Sequence, residues 1–153
     1  MTRADHLPTP AGPWTAEQAA SFVDSARIPV RLATTGGSGP TVQSMWFVRD
    51  GGMLWCATRD DAFVVTRLQR DPRCGFEVAA DTPPYRGVRG TATAQVLAAE
   101  GEQVLRRLLD RYLGGTSSSL ARWLLSRADR EVALCLTPLT LVSWDYTTRM
   151  SGG

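Results

Sequence analysis

TVQSMWFVRDGGMLWCAT, residues 41–58, decides the fold class. Asp50-Gly51-Gly52 stands between two runs rich in β-branched and aromatic residues, which is a hairpin signal. The spacing predicts a second strand over residues 41–49 and a third over 53–58. Strands joined by so short a turn run antiparallel. Trp46 and Phe47 are neighbours in this reading, so they point to opposite faces. One faces the interior, and the other meets a helix, a partner or a ligand.

Working outward, Thr15 with Gln18 forms a capping-box pattern, predicting a first helix over about 16–25. RIPVRLATT reads as the first strand and GGSGP (36–40) as a turn. On the other side, Asp60 or Asp61 is expected to cap a short helix running to about residue 69. Asp71-Pro72 stops it, because the residue before proline avoids the helical region. CGFEVAA is the fourth strand, DTPP (81–84) a loop, and YRGVRGTATAQVL a long fifth strand bent at Gly87 or Gly90. EGEQVLRRLLDRYLG and SSLARWLLSRA follow as helices. Val104, Leu105, Leu108, Leu109 and Tyr112 form one buried helical face. EVALCLTPLTLVSWDY is a last strand interrupted at Pro138. Six strands, mostly joined by hairpins, favour an antiparallel barrel with inserted helices over a parallel sheet. We expect one domain over residues 14–148, with tails at 1–13 and 149–153.

The 153 residues suit one core, and 43% hydrophobic with 21% charged is ordinary for a globular chain. The small net charge of +2 does not suggest a nucleic-acid partner. No apolar run is long enough for a membrane span, and MTRADHLPTPAGPWT lacks a secretory pattern, so a cytoplasmic location is expected. All 17 basic residues are Arg, which excludes a lysine Schiff base and leaves anion contacts to Arg, His6, the N-terminal amine or a helix N-terminus. Cys56, Cys74 and Cys135 are far apart and lack a CxxC pattern, so they read as small buried hydrophobes rather than metal ligands.

TTGGSGP matches neither a P-loop nor a dinucleotide fingerprint, so a hairpin turn is the preferred reading. Ser117 to Ser119 lack a nearby base and read as a cap for the helix near Leu120. Asp60 and Asp61 read as capping residues rather than paired acids. No protein-only catalytic set is visible, so any enzyme chemistry must come from a bound cofactor.

The strings MWFVRDGGMLWCAT (45–58), LQRDPRC (68–74), GVRGTATAQVL (87–97) and LTPLTLVSWDY (136–146) occur in that order. Together they resemble the flavin- or deazaflavin-binding split-barrel superfamily that includes pyridoxamine 5'-phosphate oxidases. The resemblance implies an α+β, mainly antiparallel fold: a six-stranded split β-barrel with inserted helices, forming a homodimer. It implies FMN or the deazaflavin coenzyme F-420 at the dimer interface and hydride exchange with a small-molecule substrate. The ring is expected against Val42, Gln43, Ser44, Met45 and Trp46. The phosphate is expected near Thr58 and Arg59. The chain also departs from the family. The Ser-Arg-Lys-like string of relatives is Ala62, Phe63 and Val64 here, and the arginine early in the second strand is absent from Val42-Gln43-Ser44. Each lost charge-assisted contact costs about 1.5–3 kcal/mol, roughly tenfold to a hundredfold in affinity. Arg59, Arg67 or Arg86 are the compensating contacts. The alternative is a non-catalytic binding protein whose apolar Ala62 to Val65 suits a hydrophobic or haem-like ligand.

Overall fold

The computed structural model describes residues 4–152. Among them, the hairpin signal holds, and the turn carries Gly51 at a φ of 59°, where glycine is favoured. The expected second strand is broken in two. β1 (Val30–Thr34) pairs with β2 (Thr41–Met45), and Trp46-Phe47 then crosses to β3 (Val48–Asp50), which pairs with β4 (Met53–Arg59). The sheet continues through β5 (Arg73–Ala79), β6 (Arg86–Leu97), β7 (Glu131–Pro138) and β8 (Val142–Asp145). Its order is β2-β1-β5-β6-β7-β4-β3, all antiparallel, with β8 also on β6.

This order curls the sheet. Its two edges, β2 and β3, are separated by only Trp46 and Phe47, which span at most about 11 Å. The end of β2 and the start of β3 therefore lie close, which curls the sheet, while the two edge strands do not pair with each other. Eight strands among the described residues stand where six were expected. The second and sixth expected strands are each split, by the Trp46-Phe47 crossing and by the segment after Pro138. The latter break coincides with Gly90. β6 pairs with β8 through Arg89 and with β7 from Ala92, while Leu139 and Thr140 both donate backbone N–H to Thr91 O. A Cβ on Gly90 would collide with the Thr140 carbonyl, so glycine is required where the two halves change over.

Leu32, Leu54, Cys56, Phe76, Val78, Val88, Leu134 and Leu136 form the barrel interior together with Phe47. α1 (Ala16–Ser25), with its capping box in place, adds Ala19 and Val23. α2 (Phe63–Arg70) adds Val64, Val65 and Leu68. α3 (Gly101–Leu113) lies outside β4 and β7. Its Val104 and Leu108 pack on Met53, Trp55, Ala133 and Cys135. Both faces of β4 and β7 are thus covered, which is why these strands read as nearly continuous apolar runs. α4 (Ser119–Leu125) is capped by Ser118 as expected, and α5 (Thr147–Ser151) follows β8.

Three expectations need correction. Neither Asp60 nor Asp61 caps α2, whose N-cap is Ala62 without a side-chain bond. Arg130 bonds Asp60 at 2.7 Å instead and reaches Asp61 at 3.4 Å, while Arg59 holds Asp61 at 3.3 Å. Within residues 4–13, Leu7 is buried and Ala11 exchanges backbone bonds with Leu141 and Ser143, where a tail was expected. Residues 147–151 form a helix where a tail was expected from 149. Cys56, Cys74 and Cys135 are buried and form no disulfide among the described residues, and burial pushes the Cys56 thiol up to about 12.

Candidate functional site

A cleft of about 410 Å3 opens where the sheet edge β2 passes the end of β4. Small-molecule sites typically measure roughly 300–1,000 Å3. Gln43, Ser44, Met45 and Trp46 form one wall. Ala57, Thr58 and Arg59, with Glu131 at the start of β7, form the floor. Leu105 and Leu108 of α3 and Leu120, Trp123 and Leu124 of α4 form the far wall, with Arg127 beyond them. The ladder places Arg59 directly opposite Glu131.

Trp46 is held rigidly. Its ring stacks on Tyr112 with centroids 5.0 Å apart and planes 6° from parallel. The Tyr112 hydroxyl donates to Ile28 O at 3.0 Å and accepts from Phe47 N at 3.3 Å. One side chain therefore fixes both the platform and the crossing between β2 and β3. Phe47 points into the barrel core and Trp46 meets α3, so the pair divides between two faces as the sequence predicts.

Trp123 is different. It is 54% exposed, and the Arg127 guanidinium lies 4.9 Å from its ring centroid. An indole left in water beside a cleft, with a cation over its face, presents an apolar surface to an aromatic ligand. Glu131 is half-buried. Burial pushes its carboxyl above the ordinary value, with Arg59 opposing the shift and Asp60 adding to it. The cleft thus combines an aromatic platform, an aliphatic wall, two guanidinium groups and one carboxyl that holds its proton more firmly than usual.

Six of the eight residues expected from the sequence line this cleft: Gln43, Ser44, Met45, Trp46, Thr58 and Arg59. Val42 does not. It is 67% exposed and lines a groove on the outer face of β1, β5 and β6, because it sits opposite Ala33 and alternation turns it outward. Arg67 does not line it either. It is buried against the β1–β2 turn, donating to Thr34 and Gly39. Arg86 packs over Phe22. Leu120, Trp123, Leu124, Arg127 and Glu131 were missed. Leu120, Trp123, Leu124 and Arg127 follow the i, i+3, i+4, i+7 spacing of one helical face, a pattern identical to that of a core-facing helix. Nothing in the sequence says that this face looks into a cleft.

Val64 and Val65 are buried in the core, so of the apolar string Phe63 is the exposed member, and it lines a separate cavity beside Arg67. Asp60 and Asp61 are occupied by Arg130 and Arg59, which weakens their opposition to an anion near Thr58.

No family model matches the sequence, and no curated protein matches it. Solved structures do match. Rv2991, a conserved hypothetical protein of Mycobacterium tuberculosis, superposes with a TM-score of 0.77 at 24% identity, covering 100% of this chain and 94% of that one. A protein named F420 reductase gives 0.67 at 20% identity, covering 79% and 93%. A candidate pyridoxamine 5'-phosphate oxidase from Listeria innocua gives 0.64 at 14% identity, covering 86% and 97%. The fold is that of the pyridoxamine 5'-phosphate oxidase-like split barrels.

Proposed function

We propose that this split barrel is an oxidoreductase that binds FMN or the deazaflavin coenzyme F-420 in the cleft between β2, β4 and α4. It exchanges a hydride with a small-molecule substrate and works as a homodimer. The observation that carries this reading is the convergence of Trp46, Thr58, Arg59 and Arg127 on one cleft. A planar, largely apolar ring with an anionic tail needs such a set: a fixed aromatic platform for the ring, and N–H donors for the tail. The likeness of fold to a protein named F420 reductase supports the same reading.

When bound, such a cofactor supplies hydride transfer. The chain's own groups supply the rest. Trp46, locked by Tyr112, backs the ring. Arg59 and Arg127 take over the anion contacts missing at Ala62, Phe63 and Val64. Leu105, Leu108, Leu120 and Leu124 exclude water. The Glu131 carboxyl, its titration raised by burial, lies at the floor opposite Arg59. The outer face of β2, β1, β5 and β6 carries Val42, Ala33 and Gly75 beside a cross-strand row of Arg31, Glu77 and Arg89. A second copy covers this face, on our reading, and places two clefts in one dimer.

The test is a visible spectrum of the purified protein followed by titration with FMN and F-420. Flavin or deazaflavin bands, or saturable binding, are expected. Arg59→Ala is expected to weaken binding roughly tenfold to a hundredfold. A colourless protein that binds neither cofactor ends this reading, and a Soret band replaces it with the haem-binding one. Light scattering addresses the dimer: a monomer at every concentration removes that part.

A further inference from the structure

We propose a second site, separate from the cleft: an oxyanion site that takes phosphate or a phosphate monoester between the β1–β2 turn and α2. A cavity of about 590 Å3 lies there, and its lining includes Gly36, Ser38, Phe63, Thr66, Arg67 and Arg70 together with Asp71.

Arg67 carries the inference. It is only 5% exposed, yet no carboxylate forms an ion pair with it among the described residues. Its Nε donates to Thr34 Oγ1 at 3.1 Å. Its Nη2 donates to Thr34 O at 3.2 Å and to Gly39 O. Nη1, with two N–H groups, has no acceptor among the described residues. The neutral acceptors, with the Phe63 ring whose centroid lies 5.1 Å from the guanidinium carbon, hold the group in place but carry no negative charge. A buried charge without a counter-charge is expensive, and natural sequences rarely keep one unless something pairs with it.

The surroundings fit an anion. A Cβ on Gly36 would come 2.6 Å from Nη1, so glycine at this position is what lets the guanidinium lie under the turn. Arg70, three residues and about one turn further along α2, brings a second, exposed guanidinium to the same cavity. Ser38 and Thr66 contribute hydroxyls. The one carboxylate in the lining, Asp71, is already engaged. Arg73 binds both its oxygens at 3.0 Å, and Thr35 donates to it at 3.2 Å. With Asp71 satisfied by Arg73 from outside the lining, the cavity keeps the positive charge of Arg67 and Arg70. Two arginine forks and two hydroxyls match the oxygens of a tetrahedral anion.

The test is titration of the full-length apo protein with inorganic phosphate, with chloride at equal ionic strength as control. The readout is the backbone amide NMR signals of Gly36, Gly37 and Gly39, none of which lines the cleft. Saturable shifts with phosphate alone are expected. Arg70→Ala, an exposed change that leaves the core intact, is expected to weaken them about tenfold. Arg67→Lys keeps the charge but loses the fork and is expected to weaken them as well. FMN and riboflavin distinguish the source. Shifts of the same amides with FMN but not riboflavin assign the anion to an ester phosphate, and shifts with inorganic phosphate assign it to the free ion. If neither inorganic phosphate nor FMN shifts these amides into the millimolar range, or if Arg70→Ala leaves the affinity unchanged, the site does not exist as described. Either failure leaves the cleft reading intact, because the inorganic-phosphate arm requires no flavin.

Discussion

Tyr112 is a single residue with two structural tasks, and removing its hydroxyl separates them. Tyr112→Phe keeps the stack on Trp46 but drops the bonds to Ile28 O and Phe47 N. We expect a loss of about 1–2 kcal/mol in chemical denaturation, with intrinsic tryptophan emission shifted by a looser Trp46. An unchanged midpoint and spectrum would mean that packing alone fixes the crossing. Glu131 gives a pH-dependent prediction. Its folded-state carboxyl titrates above the ordinary 4.5, so the folded form favours the proton and this contribution to stability is lost as pH rises through the raised value. Glu131→Gln removes that loss. The melting-temperature advantage of the variant should be absent below pH 4.5 and appear on approach to neutrality; a difference that does not change with pH refutes it. Asp71 works in the opposite direction. The Arg73 side chain and backbone N–H pull its carboxyl down to about 2, so its contribution is present above 3.8 and lost as pH falls toward 2. At this scale the sequence was informative about residue types but not about directions. Arg67 was expected beside the cofactor, yet it is buried and lines a different cavity, because one helical turn of difference on α2 decides which cavity it faces.

Among the elements, the joint between β7 and β8 offers the sharpest contrast. Gly90→Ala places a methyl against the Thr140 carbonyl and is expected to cost about 1–3 kcal/mol or more. Gly37→Ala meets nothing within 4 Å, and its φ is not in the left-handed range, so it should be neutral or stabilising by up to about 1 kcal/mol. Denaturant midpoints of the two variants check this directly, and equal midpoints would contradict it. Elements with strong local signals were readable in advance: the Thr15–Gln18 capping box, the Asp50-Gly51-Gly52 hairpin, the Pro138 interruption and the buried face of α3. The break at Trp46-Phe47 was not readable. Its residues are good strand formers, and only the need to bring the two sheet edges together interrupts them. The start of α2 was misread for a similar reason. Asp60 and Asp61 have cap chemistry, but Arg59 and Arg130 compete for them.

For the whole molecule, the described part of the N-terminal segment, residues 4–13, packs on the barrel. Leu7 is buried in the main core, and the backbone of Ala11 bonds to Leu141 and Ser143. Deleting residues 1–13 should therefore lower stability by about 2–4 kcal/mol, from one buried leucine and a pair of backbone bonds. A truncated chain as stable as the full one in thermal melts would show that the segment only rests on the barrel. Hydrophobic patterning made the antiparallel barrel legible. The assembly of the cleft was legible on the β2 and β4 side alone, since the α4 wall depends on long-range packing of α3 against β4 and β7.

Trp46-Phe47 links β2 and β3 without pairing them, which has a consequence for how copies of this chain avoid one another. A sheet with two margins normally invites a foreign strand at each. β3 is three residues long and carries Arg49 and Asp50, so its margin is blunted. β2 holds five residues, Thr41–Met45, without a single charge, and they are mostly exposed. Edge-to-edge aggregation should therefore begin at β2, beside the cleft, and whatever fills that cleft would also shield the chain's weakest margin.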